Sequence, residues 1–299
     1  HFERIGMKDQ YFVYNGRFLS IKLSKDPIYF PKITVRNNTD QFVIPSEIAS
    51  TRNEFLNLLP GSVLRSYGGN AGIALVSVDG GRTEDVKVIF NNIDLTSPQN
   101  GLTDLSQIPI QLLGRSSIKT NQDLSQGSGT TDGVIHLNPW SHPTGIRIQS
   151  SDDNSKMFSL HYSIENHNYK LNMVGGINSD PGTHPVFYNG KLIQRENQYF
   201  SQNFMGIRHK FKSKSVWFSD VSYWNSIQDR GISGLVWSPN IEAFRNDTLS
   251  ILYGSLVRVF PKGFIKSKIT YRRTGENYFD PTPGINSDHT SSSLSSRMT

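Results

Sequence analysis

The feature that most constrains this chain is a period of two that runs through its second half. Phe158, Leu160, Tyr162 and Ile164 fall on one side of a strand, and Met157, Ser159, His161 and Ser163 on the other. Tyr169, Leu171 and Met173 repeat the pattern against Lys170 and Asn172. Leu249, Ile251, Tyr253, Val257 and Val259 share a side further on, and Ile265, Ile269 and Tyr271 oppose Lys266, Lys268, Thr270 and Arg272. Successive side chains of a strand point to opposite faces, so each segment reads as a strand with one apolar face, about ten residues long, the length of a tilted membrane-crossing strand. A soluble β-sandwich alternates in the same way. The connections separate the two readings. Short ones occur at Asn166-His167-Asn168, Lys212 to Ser215 and Pro261-Lys262-Gly263; long polar ones at Asn178 to Asn197, Asp229 to Thr248 and Gly275 to His289. Short turns at one rim and long loops at the other favour a transmembrane barrel.

The first half has another texture. Tyr11 to Leu23 alternate around Asn15-Gly16, a hairpin signal, and Pro27 and Pro31 then precede the β-prone run Ile33-Thr34-Val35. Thr51-x-x-Glu54 is a capping-box pattern opening a helix with Phe55, Leu58 and Leu59 as its apolar face and Pro60-Gly61 as its stop. Short strands are expected at Ile73 to Val78, Val86 to Phe90 and Ile93 to Leu95, the last two joined by Asn91-Asn92, since Asn tolerates positive φ. Residues 44–137 thus read as a small α+β unit with little helix. The start lacks a charged and apolar leader pattern, and Ser291 to Thr299 resembles the first half of a strand, so the chain is expected to be incomplete at both ends.

Catalytic chemistry is not indicated. There is no cysteine, hence no disulfide or thiolate site, and Gly127-Ser128-Gly129 lacks the spacing of a nucleophile elbow or phosphate loop. His161, His167, His184 and His209 lack metal-ligand spacing. The chain is therefore not expected to be an enzyme or to carry a metal or cofactor. The formal net charge of +6 is scattered over the sequence, which argues against a nucleic-acid partner. Lys266, Lys268 and Arg272 share one strand face, the lumen side of a barrel, and suggest a lumen favouring anions. Trp217, Tyr223, Trp224, Trp237 and Phe260 are candidates for interfacial aromatic girdles.

The blocks Leu58-Leu-Pro-Gly61, Val76-Ser-Val-Asp-Gly80, Val86 to Leu95, Asp104-Leu-Ser-Gln-Ile-Pro109, Gly127-Ser-Gly and Asp132-Gly-Val-Ile-His-Leu137 resemble, in order and spacing, the plug of TonB-dependent outer-membrane transporters. The block at Asp104 is close to the plug pattern of vitamin B12 transporters. The resemblance implies a mainly β fold, with a small α+β plug domain followed by the first strands of a roughly 22-stranded transmembrane β-barrel. It divides the chain into 1–28, the tail of a carboxypeptidase-regulatory-like β-sandwich (Ile5-Gly6-Met7 to Asp26-Pro27, as in Bacteroidota); 29–40, a linker with a TonB-box-like segment; 41–140, the plug; and 141–299, the first strands of the barrel, about seven of them.

What the resemblance implies functionally is a receptor in the bacterial outer membrane that binds and actively imports a scarce large solute: a siderophore, cobalamin or an oligomeric nutrient. Ile33, Thr34 and Val35 would meet a TonB-type periplasmic energy-coupling protein by adding a strand to its sheet. Outward plug turns, through Arg65, Ser66, Tyr67 and Asn70 and through Ser97, Gln99 and Asn100, would meet the ligand. Further expected partners are outer-membrane lipid and a surface lipoprotein or other outer-membrane complex subunits. Some family positions differ. Asp79 stands where the family has an arginine, Ser116 or Ser117 where it has an acidic residue, and Lys119-Thr120-Asn121 where it has Arg-Gly-Pro. Those charges help lock plug to barrel, so their loss raises an alternative: a degenerate, non-transporting barrel serving as a structural subunit.

Overall fold

The computed structural model describes residues 44–45, 52–67, 72–97, 100–112, 115–119, 133–140, 142–152, 154–182, 185–213 and 217–299, all within one unit, Asp40–Thr299. The sandwich tail, the linker and Ile33, Thr34 and Val35 lie outside the described residues, as do Asn70 and Gln99.

The first part is a small α+β unit. Strand β1 is Ile44–Pro45, helix α1 is Arg52–Asn57, and β2 (Ser62–Tyr67) pairs antiparallel with β3 (Ile73–Val78). Strands β4 (Val86–Phe90), β5 (Ile93–Asp94), β6 (Arg115–Lys119) and β7 (Gly133–Asn138) complete a five-stranded sheet in the order β1-β6-β7-β4-β5, with β4 and β7 parallel. Helix α1 buries Phe55, Leu56 and Leu59; Leu58, expected on that face, is exposed. The chain leaves the helix through Gly61 at φ +72°, and a side chain there would run into Asp79. Asn91 and Asn92 take φ 48° and 65°, the left-handed pair a two-residue hairpin needs. The core is apolar and continuous: Val76, Val78, Val88, Phe90, Ile135 and Leu137 are all buried.

The second part is one antiparallel sheet of eight long strands, where the periodicity indicated about seven. In chain order the elements are β8 (Gly145–Ser150), β9 (Lys156–Glu165), β10 (Tyr169–Asp180), β11 (Pro185–Tyr188), β12 (Lys191–Gln194), β13 (Phe200–Lys212), β14 (Trp217–Gly231), β15 (Gly234–Leu235), β16 (Ser238–Pro239), β17 (Phe244–Phe260), β18 (Gly263–Asp280) and β19 (Ile285–Met298). Sheet order follows chain order from β8 to β19, while β11–β12 and β15–β16 form two separate hairpins within the long connections. The residues from Ser291 onward therefore belong to a strand already six residues old.

This sheet is inside out by the standards of a water-soluble protein. On β9, Phe158, Leu160, Tyr162 and Ile164 are between 39% and 49% exposed, whereas Ser159 and His161 are buried. On β10, Met173 and Ile177 are exposed and Asn172 is buried. Cross-strand partners share a face, and the exposed apolar positions continue through Ile207, Val221, Leu252, Ile269 and Leu294. Soluble monomers rarely expose a contiguous apolar surface of this extent; lipid is the solvent that suits it. Among the described residues no helix is long and apolar enough to cross a membrane.

Two sequence expectations change here. Leu249, Ile251 and Tyr253 do share a face, but it is the covered one: they are buried against the α+β unit, and Leu252 and Leu256 face outward instead. Gly275 to His289 is not a loop. Strands β18 and β19 stay paired from Ser267 and Met298 up to Asp280 and Ile285, and only Pro281 to Gly284 turn. The pairing continues beyond Thr274 through a mostly polar stretch in which Tyr278 and Phe279 are adjacent, so the period-two signal fades although the ladder continues.

Candidate functional site

The α+β unit meets the sheet through a polar seam built largely on the block Asp104-Leu-Ser-Gln-Ile-Pro109. Asp104 Oδ1 accepts from the backbone N–H groups of Ser106 (2.9 Å) and Ala74 (3.1 Å), which opens the 3-10 turn Leu105–Gln107 and ties it to β3. Onto this turn reaches Arg230 of β14, whose side chain is 1% exposed. Its guanidinium donates to Asp247 Oδ2 at 2.8 Å and to Ser106 Oγ at 3.1 Å, and lies 3.5 Å from Asp104 Oδ2. Asp247 also accepts from Arg245 Nε at 2.8 Å, and Arg245 extends to Glu276 at 3.1 Å. Five charged groups therefore form one chain from the inner unit to the wall. Gln202 Nε2 donates to the Gln107 carbonyl at 3.0 Å, and Gln111 pairs with Asn178.

The hairpin at Asn91-Asn92 is the second anchor. Asn91 Nδ2 donates to Ser222 Oγ at 2.6 Å, and Lys268 Nζ donates to the Asn92 carbonyl at 2.7 Å. Arg272 donates to the carbonyls of Asp94 and Thr96, both at 2.9 Å. Of the three basic residues that suggested an anion-favouring lumen, two are thus engaged in holding the inner unit. Beside the polar contacts lies an aromatic one. Trp224, 2% exposed, packs edge-on to Phe90 and tilted against Phe204, both with ring centroids 5.8 Å away.

The aromatic expectations divide accordingly. Trp217 and Phe260 are partly exposed near the short-turn rim, with the Arg258 guanidinium 4.9 Å from each ring centroid, as a girdle would be. Trp224 is no girdle residue, because it points inward. Trp237 sits in the β15–β16 hairpin and stacks on Tyr188 of the β11–β12 hairpin, 6.2 Å apart. At the same rim Tyr199 donates to Asp229 Oδ1 at 3.2 Å; burial first, and then the Asp229 charge, raise its pKa, so the phenol remains a donor.

Two cavities flank the seam. One, about 910 Å³, opens at the long-connection end, between Ser97, Asn100, Leu102 and Asp104 on one side and Arg245, Glu276 and His289 on the other. It brings together two of the expected ligand residues, Ser97 and Asn100. Arg65 and Ser66 are exposed but do not line it, and with Tyr67 they belong to β2 rather than to a turn. The other cavity, about 990 Å³, lies at the short-turn end, beneath Asn92 and Asn138. Among the described residues no cluster of three or more metal-ligating side chains occurs.

A plug-like unit docked by polar contacts on the covered face of a meander whose bare face is apolar defines a class: plugged β-barrels that sit in lipid. Solved structures bear this out as a fold. The siderophore receptor PirA from Acinetobacter baumannii superposes over 86% of this chain at TM-score 0.60 and 14% identity; the copper transporter OprC over 85% at 0.65 and 12%; and the FrpB iron transporter from Neisseria meningitidis over 85% at 0.64 and 12%. These neighbours are receptors and transporters, not enzymes, and the chain has the plug-and-barrel fold of TonB-dependent outer-membrane receptors. It spans less than half the length of each, 44%, 40% and 44%. No family model and no curated protein matches the sequence.

Proposed function

We propose that the chain is part of a TonB-dependent receptor of the bacterial outer membrane that binds a scarce large solute at the long-connection end and imports it by moving the plug. The supporting observation is the chemistry of the seam. Arg230, Arg272, Lys268, Gln202 and Asn91 bridge plug and wall by hydrogen bonds that water can replace. A stopper meant only as a permanent seal needs no such exchangeable contacts. The absent charges of the family's usual lock favoured a static subunit; the Arg230 cluster supplies another lock at other positions, and this weighs toward transport. On this reading Ser97 and Asn100 contact the solute, a siderophore, cobalamin or oligomeric nutrient. Ile33, Thr34 and Val35 are the strand offered to a TonB-type partner, and lipid and a surface lipoprotein or another complex subunit are the remaining partners.

The test is deletion of Pro31 to Val35 in the full-length protein. Energy-dependent uptake is expected to vanish while ligand binding at the cell surface persists. Uptake that survives the deletion rejects the coupling assignment. A stable copurifying membrane partner with no uptake by the unaltered protein would favour the structural subunit.

A further inference from the structure

The wall's ionisable residues are not evenly distributed, and strand register shows how they divide. Near the short-turn rim one cross-strand row on the covered face reads Glu165, Lys170, Lys210, Asp220, Ser255, Lys268 and Arg297. The neighbouring rows add Arg208, Lys212 and Lys266. Two of these cations are neutralised: Arg208 grips Asp220 in a two-pronged contact at 2.6 and 2.8 Å, and Lys170 meets Glu165 at 2.5 Å. Lys210, Lys212, Lys266, Lys268 and Arg297 form no close ion pair among the described residues, although Lys210 stands across from the Asp220 that Arg208 holds. Lys268 donates to a neutral carbonyl rather than to a carboxylate. At the other end the balance reverses. Arg230 and Arg245 face Asp180, Asp247 and Glu276 of the wall and Asp104 of the plug. The loop-side cavity, lined by Arg245 and Arg272 against Asp104 and Glu276, is charge-balanced, whereas in the short-turn cavity Lys170, Arg208, Lys210, Lys212 and Lys266 outnumber Glu165 and Asp220.

We propose that the short-turn cavity is a second solute site, lying beyond the plug, that holds a small multiply anionic solute bearing carboxylate or phosphate groups. It deepens the transport reading, on which this rim faces the periplasm. Lys210, Lys212 and Lys266 line the cavity itself, and Arg208 adds a fixed fork. A volume of about 990 Å³ accommodates a solute larger than a single phosphate. Charges lining a cleft focus their field into it, and a lumen that runs from balanced to basic gives an anion a downhill path once the plug moves. The asymmetry also supplies direction: among the described residues the excess of cations over carboxylates lies past the barrier.

The experiment uses the full-length protein in detergent with inorganic pyrophosphate as the probe, titrated calorimetrically at low and at 300 mM-range salt. Saturable one-site binding is expected, weakened by salt, and weakened at least about tenfold by Lys210→Gln with Lys266→Gln, because two of the three lysines that line the cavity without a close ion pair are lost. Both side chains are exposed, so the double variant keeps its fold, and Lys191→Gln in the β11–β12 hairpin at the other end should leave binding unchanged. Absence of saturable binding, or equal affinity in the double variant, overturns the site. An acidic polypeptide that copurifies and is displaced only by excess pyrophosphate would also overturn it in favour of a protein partner. No coupling protein is needed, so a failed uptake assay and a failed titration are distinguishable.

Discussion

Removing Arg230 should unseat the plug without dissolving the wall. In Arg230→Met the volume is roughly kept, so the change isolates the charge. Arg230 and Asp247 are each 1% exposed, and their 2.8 Å contact lies out of water. Breaking a buried pair by removing one partner costs about 3–5 kcal/mol. Two compensations push toward the lower end: Asp247 retains Arg245 at 2.8 Å, and Asp104 retains the N–H groups of Ala74 and Ser106. About 3 kcal/mol corresponds to roughly 100-fold more frequent local opening. Hydrogen exchange on the purified full-length protein reads this directly: amides from Asp104 to Gln111 should exchange roughly 100-fold faster, while those of β9 and β10 should not change. Two further variants sharpen the case. Asp104→Asn loses only the 3.5 Å ion contact and should accelerate exchange less than about tenfold. Arg230→Met with Asp247→Leu removes both buried charges and should recover much of the protection. If Arg230→Met changes exchange by less than about threefold, or if Asp104→Asn matches it, the cluster is not the lock.

Other perturbations test other parts of the architecture. Leu160→Arg places a charge on the bare face and should destabilise by about 2–4 kcal/mol in lipid, read by urea titration in vesicles; in a water-surrounded sheet it would be nearly neutral. Trp224→Ala should cost about 3–5 kcal/mol of plug–wall packing, visible as faster exchange around Phe90. Gly206→Val should act on the same contact, since a Cβ there would lie 2.7 Å from the Trp224 ring and 2.8 Å from Trp140; unchanged Trp fluorescence would count against the close fit. Arg272→Gln cannot span both carbonyls it now holds, and exchange between Asp94 and Thr96 should rise about tenfold.

The lipid-facing pattern was legible because it depends on contrast. Phe158 to Ile164 alternate with Ser and His, and nothing but strand geometry is needed to put them on opposite faces. The turn at Asn91-Asn92 was legible for a local reason as well, since the side-chain chemistry of Asn fits the backbone it must adopt. Contrast fails in two places. Where the plug covers the wall, Leu249, Ile251 and Tyr253 are apolar because they meet Phe90 and Trp224, so an apolar face no longer signals lipid. Above the apolar band the contrast between faces fades: Gly275 to His289 is strand except for Pro281 to Gly284, and Asp229 to Thr248 is strand at its two ends and in the short β15–β16 hairpin. Among the candidate ligand residues, Ser97 and Asn100 fall at a cavity because they leave a hairpin anchored by Arg272; Arg65 and Ser66 do not, because Ser62–Tyr67 continues as a strand paired to β3.

The lock was hidden for the same reason. Arg230 and Asp247 both sit in the stretch that reads as a long polar connection, 17 residues apart, and nothing local marks them as partners. Only the register of β14 on β17, with Arg230 opposite Arg245 and Gln228 opposite Asp247, brings a cation diagonally onto an anion and aims both at the turn opened by Asp104. Two arginines directly opposite one another would repel, and here they share the one carboxylate between them. The balance comes from both sides: Arg245 reaches out to Glu276 and Arg230 reaches in to Asp104, so withdrawing the plug still leaves one carboxylate for each guanidinium. A plug held in this way can let go at Asp104 without stranding a cation, because Asp247 stays on Arg230 and Glu276 on Arg245.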